Sequence, residues 1–175
     1  MQQYKARTNI VGRRALLALG VALAVLALTA PPAGASTATG TFTATITIQA
    51  SCQVISTNTL SFGTQGILTA NTDALATFAV QCTNTTPYNV GLNAGSTAGG
   101  TVTTRLMTSG SATVSYKMYS DASRTTNWGN TVGTDTVSGT GNGAQQTLTV
   151  YGRVPVQTTP APATYNDTVT VTVTY

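Results

Sequence analysis

Near one end of the chain Phe42, Ala44, Ile46 and Ile48 alternate with threonines, and at the other end Val169, Val171, Val173 and Tyr175 do the same. A strict period of two puts every apolar side chain on one face of an extended chain and every hydroxyl on the other. Each segment is therefore predicted to be a half-buried strand that needs an apolar surface to cover it. Between the ends, short alternating runs are separated by Gly, Asn, Ser and Pro, and no stretch after residue 35 sustains a 3.6 period. Strands are expected over 40–50, 53–56, 59–62, 75–83, 87–93, 103–107, 112–119, 146–154 and 167–175. Residues 95–100 and the glycine-rich stretch 129–143 are expected to be loops. Pro155, Pro160 and Pro162 end one strand and force a polar turn before the last.

The first 35 residues follow another logic. Lys5, Arg7, Arg13 and Arg14 precede an apolar run over 15–28, and Ala33-Gly34-Ala35 offers small residues for cleavage. This is the pattern of a secretory signal peptide over 1–35. The run is short for a spanning helix and is followed by Pro31-Pro32, so contact with a membrane is expected only through this segment during export. The Arg13-Arg14 pair lacks the flanks of a twin-arginine signal, which leaves general secretion.

Setting that segment aside changes the electrostatics. Residues 36–175, which number 175 − 35 = 140, keep Arg105, Lys117, Arg124 and Arg153 against Asp73, Asp121, Asp135 and Asp167, so their net charge is 4 − 4 = 0. The whole-chain value of +4 resides in the leader, and no basic cluster remains to bind nucleic acid. Threonine supplies 36 of the 140 residues. Its branched Cβ favours strands, and its hydroxyl keeps an outer face wet without charge. A neutral domain with so few charges is poorly protected against association, a liability in a free protein and tolerable in a fibre.

Cys52 and Cys82 are the only cysteines. An exported chain meets an oxidising compartment, so they are expected to form a disulfide. Closing a loop of about thirty residues contributes on the order of 3 to 4 kcal/mol in the chain-entropy picture. One domain of 140 residues with seven to nine short strands and a bridge near its start predicts an all-β sandwich of immunoglobulin type.

Catalytic chemistry finds little to work with. There is no His and no Glu, and both thiols are assigned to a bridge. The four aspartates sit among Gly, Asn, Ser and Thr in surroundings typical of turns rather than of paired catalytic carboxylates. A metal site would need more thiolates or imidazoles, and the stretch 129–143 lacks the lysine and following helix of a phosphate cradle. No enzyme activity, cofactor or metal is expected. Asn127-Trp128-Gly129 carries the only tryptophan. It is read as a turn with one aromatic packed across a sandwich end, a carbohydrate platform being the less favoured alternative.

Particular stretches narrow the reading. They are Thr39-Gly40-Thr41-Phe42 through Ser51-Cys52, Leu60-Ser61-Phe62-Gly63-Thr64, Val80-Gln81-Cys82-Thr83-Asn84, and Tyr116 to Trp128 with its Ser120-Asp121-Ala122 turn and Arg124-Thr125-Thr126. Two more follow: Leu148-Thr149-Val150-Tyr151-Gly152-Arg153-Val154-Pro155, and Tyr165-Asn166-Asp167-Thr168 to Tyr175. Together they resemble the spore coat U domain family, which includes the pilins of archaic chaperone-usher pili of the Csu type. The block Tyr151-Gly152-Arg153 with the terminal Val/Thr strand is the most specific part.

The resemblance implies an immunoglobulin-like sandwich that lacks its final strand and is completed by a donor strand from a neighbouring subunit. Mapped here, the donor strand lies within 36–50, over 37–48, with Phe42, Ala44, Ile46 and Ile48 inserted. The edge of the acceptor groove carries Val169, Val171, Val173 and Tyr175, within a domain over 51–175. The implied partners are identical or related pilin subunits, a periplasmic chaperone and an outer-membrane usher. The implied location is the periplasm in transit and then a cell-surface fibre supporting adhesion or biofilm formation. A spore-coat or matrix protein of the same fold is the alternative, and a carbohydrate-binding module the third. Intact mass and thiol labelling of periplasmic material are expected to show no free thiol; two freely reactive thiols in the native protein would refute the bridge.

Overall fold

In the computed structural model, which describes residues 33–175, the alternating runs close into two antiparallel sheets, with no helix among the described residues. The leader expected over 1–35 falls outside them except for residues 33–35. The chain divides after Ala44 into a short N-terminal unit and the body Thr45–Tyr175.

Eight strands build the body: β1 (Cys52–Thr57), β2 (Thr72–Cys82), β3 (Pro87–Leu92), β4 (Arg105–Ser109), β5 (Ala112–Tyr119), β6 (Val137–Thr140), β7 (Gln145–Val154) and β8 (Val171–Thr174). One sheet has five strands in the order β1-β2-β7-β5-β4, and the other has three in the order β6-β3-β8. The period of two does its work in the longest strands. Phe78, Val80 and Cys82 of β2, Val114, Tyr116 and Met118 of β5, and Val150 and Val154 of β7 are buried against Tyr88, Val90 and Leu92 of β3. Trp128 ties the layers together: it is 1% exposed, its Nε1 donates to the Val90 carbonyl at 2.8 Å, and its ring lies 5.7 Å from that of Phe78.

The bridge expected from the cysteine count is present. Cys52 and Cys82 are register partners at the first pair of β1 and β2, so the bond lies within one sheet rather than across the sandwich. It fastens an edge strand whose other five residues are exposed and whose pairing slips between Val54 and Ser56.

Several expectations need correction. Residues 59–62 form no strand but a segment whose Leu60 and Phe62 pack on the core. The run 40–50 forms none either. Conversely β6 lies inside the stretch expected to be a loop. Its Gly139 stands opposite Tyr88 in the ladder, and a Cβ there would meet the Tyr88 Cζ and Oη at 2.5 Å. A glycine that looks like a loop residue is thus the space an aromatic neighbour fills.

Asp73 is a strand residue, not a turn residue. It faces Arg153 across β2 and β7, which donates to it through Nε and Nη2 at 2.7 and 2.8 Å, and Arg124 lies at 3.3 Å. The Arg153 hydrogen bonds hold the Asp73 carboxyl below its usual range, against a smaller opposing effect of burial and with help from the Arg124 charge. A depressed folded-state pKa gives stability that is present above the unfolded carboxyl value and lost as pH falls through the folded one. Asp73→Asn is therefore expected to lower the melting temperature at pH 7, and the gap to wild type should close as pH drops below about 4; a gap independent of pH would refute the ion-pair role.

Candidate functional site

Three strands cannot cover the inner face of five. A groove of about 390 Å³ is left over that face. Its floor is apolar: Phe78 from β2, Val150 from β7, Tyr116 and Met118 from β5, and Met107 from β4. One wall runs from the end of β1 at Thr57 through the non-strand segment 58–62, with Leu60 and Phe62. The other is the segment 165–171 that leads into β8. β8 is also a free edge of its sheet, since it pairs with β3 alone. The Asn93 N–H donates to the Thr170 carbonyl. By the alternation of an antiparallel ladder, Val169, Val171 and Val173 then turn their backbone groups to the unpaired side. The site offers what a strand needs: an apolar trough and an edge with free backbone groups.

The walls are held by specific devices. Gly152 lies beneath the first: a Cβ there would stand 2.7 Å from Leu60 Cδ2 and 3.0 Å from Phe62 Cζ, so the absent side chain is the seat of both residues. The second wall is bonded to β4, where Asn166 and Thr108 exchange both backbone hydrogen bonds. In the same strand β4 Arg105 is fully buried, and its guanidinium donates to the carbonyls of Leu92, Asn93, Val102 and Trp128 at 2.7–2.9 Å. Burial lowers its pKa, with Tyr116, Asp167 and Asp135 opposing the shift. A guanidinium stays charged even so, and the four carbonyls take up four of its five N–H donors.

Tyr116 Oη donates to Asp167 Oδ2 at 2.7 Å, and burial raises the phenol pKa. Burial also acts to raise the Asp167 carboxyl, but hydrogen bonds from Tyr116, Ser96 and Thr168 outweigh it and leave the pKa below the usual value. The other aspartates are likewise absorbed. Asp121 accepts from Ser123 and from the Thr125 and Thr126 backbone, and Asp135 accepts from the Thr131 backbone.

Of the residues expected at the acceptor edge, Val169 and Val171 line the groove. Val173 packs on the core, and Tyr175 is 59% exposed beyond the strand. The residues expected to donate lie open: Phe42 is 93% exposed, Ile46 82% and Ile48 70%, Ala44 is exposed too, and none belongs to a strand. Trp128 is buried, so it presents no ring to a carbohydrate. Sequence reasoning missed Arg105, Met107 and the Tyr116–Asp167 pair. Alternation over Val114-Tyr116-Met118 was a legible signal for the floor. Nothing local marked Arg105 as buried.

The Spore Coat Protein U domain family matches residues 38–172. Protein U of Myxococcus xanthus is 34% identical over 180 residues, covering 93% of this chain and 98% of that protein. A chain in the crystal structure of the CsuC–CsuE chaperone–tip adhesion subunit pre-assembly complex, from archaic chaperone-usher Csu pili of Acinetobacter baumannii, superposes with a TM-score of 0.53 at 29% identity. The match covers 74% of the present chain and 40% of that one. As a test of the wall's construction, Gly152→Val should displace Leu60 and Phe62 and destabilise the domain by about 1 to 3 kcal/mol in denaturant titrations; an unchanged midpoint would show that the close approach is not required.

Proposed function

The chain belongs to the Spore Coat Protein U domain family, and we propose that it is a structural subunit of a secreted chaperone-usher surface fibre that assembles by donor-strand exchange. One observation carries the reading: an apolar groove beside the free edge of β8 coexists with an apolar, alternating and exposed segment at the other end of the same chain. On this reading residues 37–48 of one subunit fill the groove of the next. Their backbone pairs with the free edge of β8, and Phe42, Ala44, Ile46 and Ile48 enter the trough. Burying three large and one small apolar side chain contributes on the order of 5 to 9 kcal/mol before ordering costs. A contact between unlike surfaces does not close on itself, so repetition makes a filament.

A periplasmic chaperone covers the groove before exchange, and an outer-membrane usher is where exchange takes place. Likeness to a chain of a chaperone–subunit pre-assembly complex supports the first of these partners. The domain body over 51–175 is the acceptor, the segment 36–50 is the donor and the leader over 1–35 directs export. The finished fibre stands at the cell surface and serves adhesion or biofilm formation. The relation to Protein U favours one second reading, a coat or matrix protein of the same fold.

Ile46→Asp separates donor from acceptor. A charge forced into an apolar trough without a partner opposes insertion by several kcal/mol. This variant should bind a peptide of residues 37–48, with a rise in melting temperature, yet form no fibres by electron microscopy. Val171→Asp should show the reverse defect and take up no peptide. Fibres from Ile46→Asp indistinguishable from wild type would mean that 37–48 is not the donor.

A further inference from the structure

We propose that Asp167 is a positioning residue that sets the wall of the groove in its strand-accepting place before any strand arrives. This rests on the reading of the groove as a strand acceptor and adds how the acceptor is kept ready. A four-residue edge strand with one partner is poorly supported. The segment before it, 165–170, belongs to no strand and is bonded through an isolated bridge at Asn166 and the Thr170 backbone.

Two backbone attachments bracket that wall: Asn166 on Thr108, at 2.8 and 3.1 Å, and Thr170 on Asn93, whose Oδ1 accepts the Thr170 N–H at 2.9 Å. Between them stands Asp167. Its Oδ1 accepts the N–H groups of Ser96 at 2.8 Å, Thr97 at 3.2 Å and Thr168 at 2.9 Å, which ties the wall to the 95–97 loop. The loop is shaped for this. Gly95 has φ +88°, and a Cβ there would fall on the carboxylate itself.

The other oxygen reaches the floor. Oδ2 accepts from Tyr116 Oη, and the Tyr116 ring forms part of the floor. Phe62, in the opposite wall, meets that ring edge-on, with centroids 6.1 Å apart and planes at 65°. Asp167, Tyr116 and Phe62 thus run across the groove from wall to floor to wall. Of the wall's anchors, Asp167 is the one bonded to a floor side chain, whereas Asn166 meets only the backbone of β4. A wall ordered in advance spares the incoming strand the entropy of ordering it.

The experiment measures binding of the 37–48 peptide to the mature subunit, with amide hydrogen exchange as the second readout. Asp167→Ala should weaken the peptide at least about tenfold, the scale of losing hydrogen bonds to a charged group. Tyr116→Phe keeps the ring and should weaken it less. The double variant should be no worse than Asp167→Ala, because both changes cut one link. Exchange should quicken in 165–171 and not in β2 or β7, and saturating peptide should restore the wild-type pattern. If Asp167→Ala does not fold, Tyr116→Phe carries the test. Wild-type affinity in the foldable variants, or loss of protection spread through β2 and β7, would overturn the positioning role while leaving strand exchange intact. A wild-type subunit that takes up no peptide would overturn both.

Discussion

The constraint on which the rest depends is the mismatch between two sheets. Five strands present an inner face of Phe78, Val150, Met118, Tyr116 and Met107, and three strands are too few to cover it. In a closed sandwich each apolar face is buried by the opposite layer and each edge is short or blunted. Here the uncovered face and the free edge of β8 lie together, so the apolar surface and the unpaired backbone groups open on the same side. A second strand beside β8 would answer both.

Polar chemistry is spent on holding that opening in shape. With eight charged residues in 36–175, each charge has a traceable structural task or lies on the outside. Asp73 joins β2 to β7 through Arg153, and Asp121 closes the turn after β5. Arg105 fastens four carbonyls around the Leu92–Asn93 and Trp128 segments, and Asp167 joins a wall, a loop and the floor. The four carboxylates accept from backbone, hydroxyl and guanidinium donors, and so hold loops and strands together. The disulfide adds a covalent anchor where the exposed edge strand β1 begins, next to the exposed segment 40–50.

Much of the fold was legible in the chain. Period-two runs located β2, β3, β5 and β7 to within a few residues, because those strands are half-buried and their alternation mirrors their two faces. The same rule failed at 59–62, where Leu60 and Phe62 alternate because they pack on Gly152 and Tyr116, not because they pair. It failed oppositely at β6, where Gly139 gives up its side chain to Tyr88. Arg105 reads as an exposed cation, and only four converging carbonyls from distant parts of the chain make its burial tolerable.

The sequence by itself determined that both ends are apolar on one side, that two cysteines form one pair, and that the residues for acid, base or metal chemistry are almost absent. Those properties follow from local spacing and from counting. It left open which surface each end would cover, since alternation defines a face and says nothing of its partner. The tertiary structure decided that Val171–Thr174 pairs with β3 at an edge, while no part of 40–50 enters a strand. It also decided that the uncovered floor lies beside that edge, because the order of strands in a sheet is set by contacts between residues far apart in the chain, and no local pattern records them.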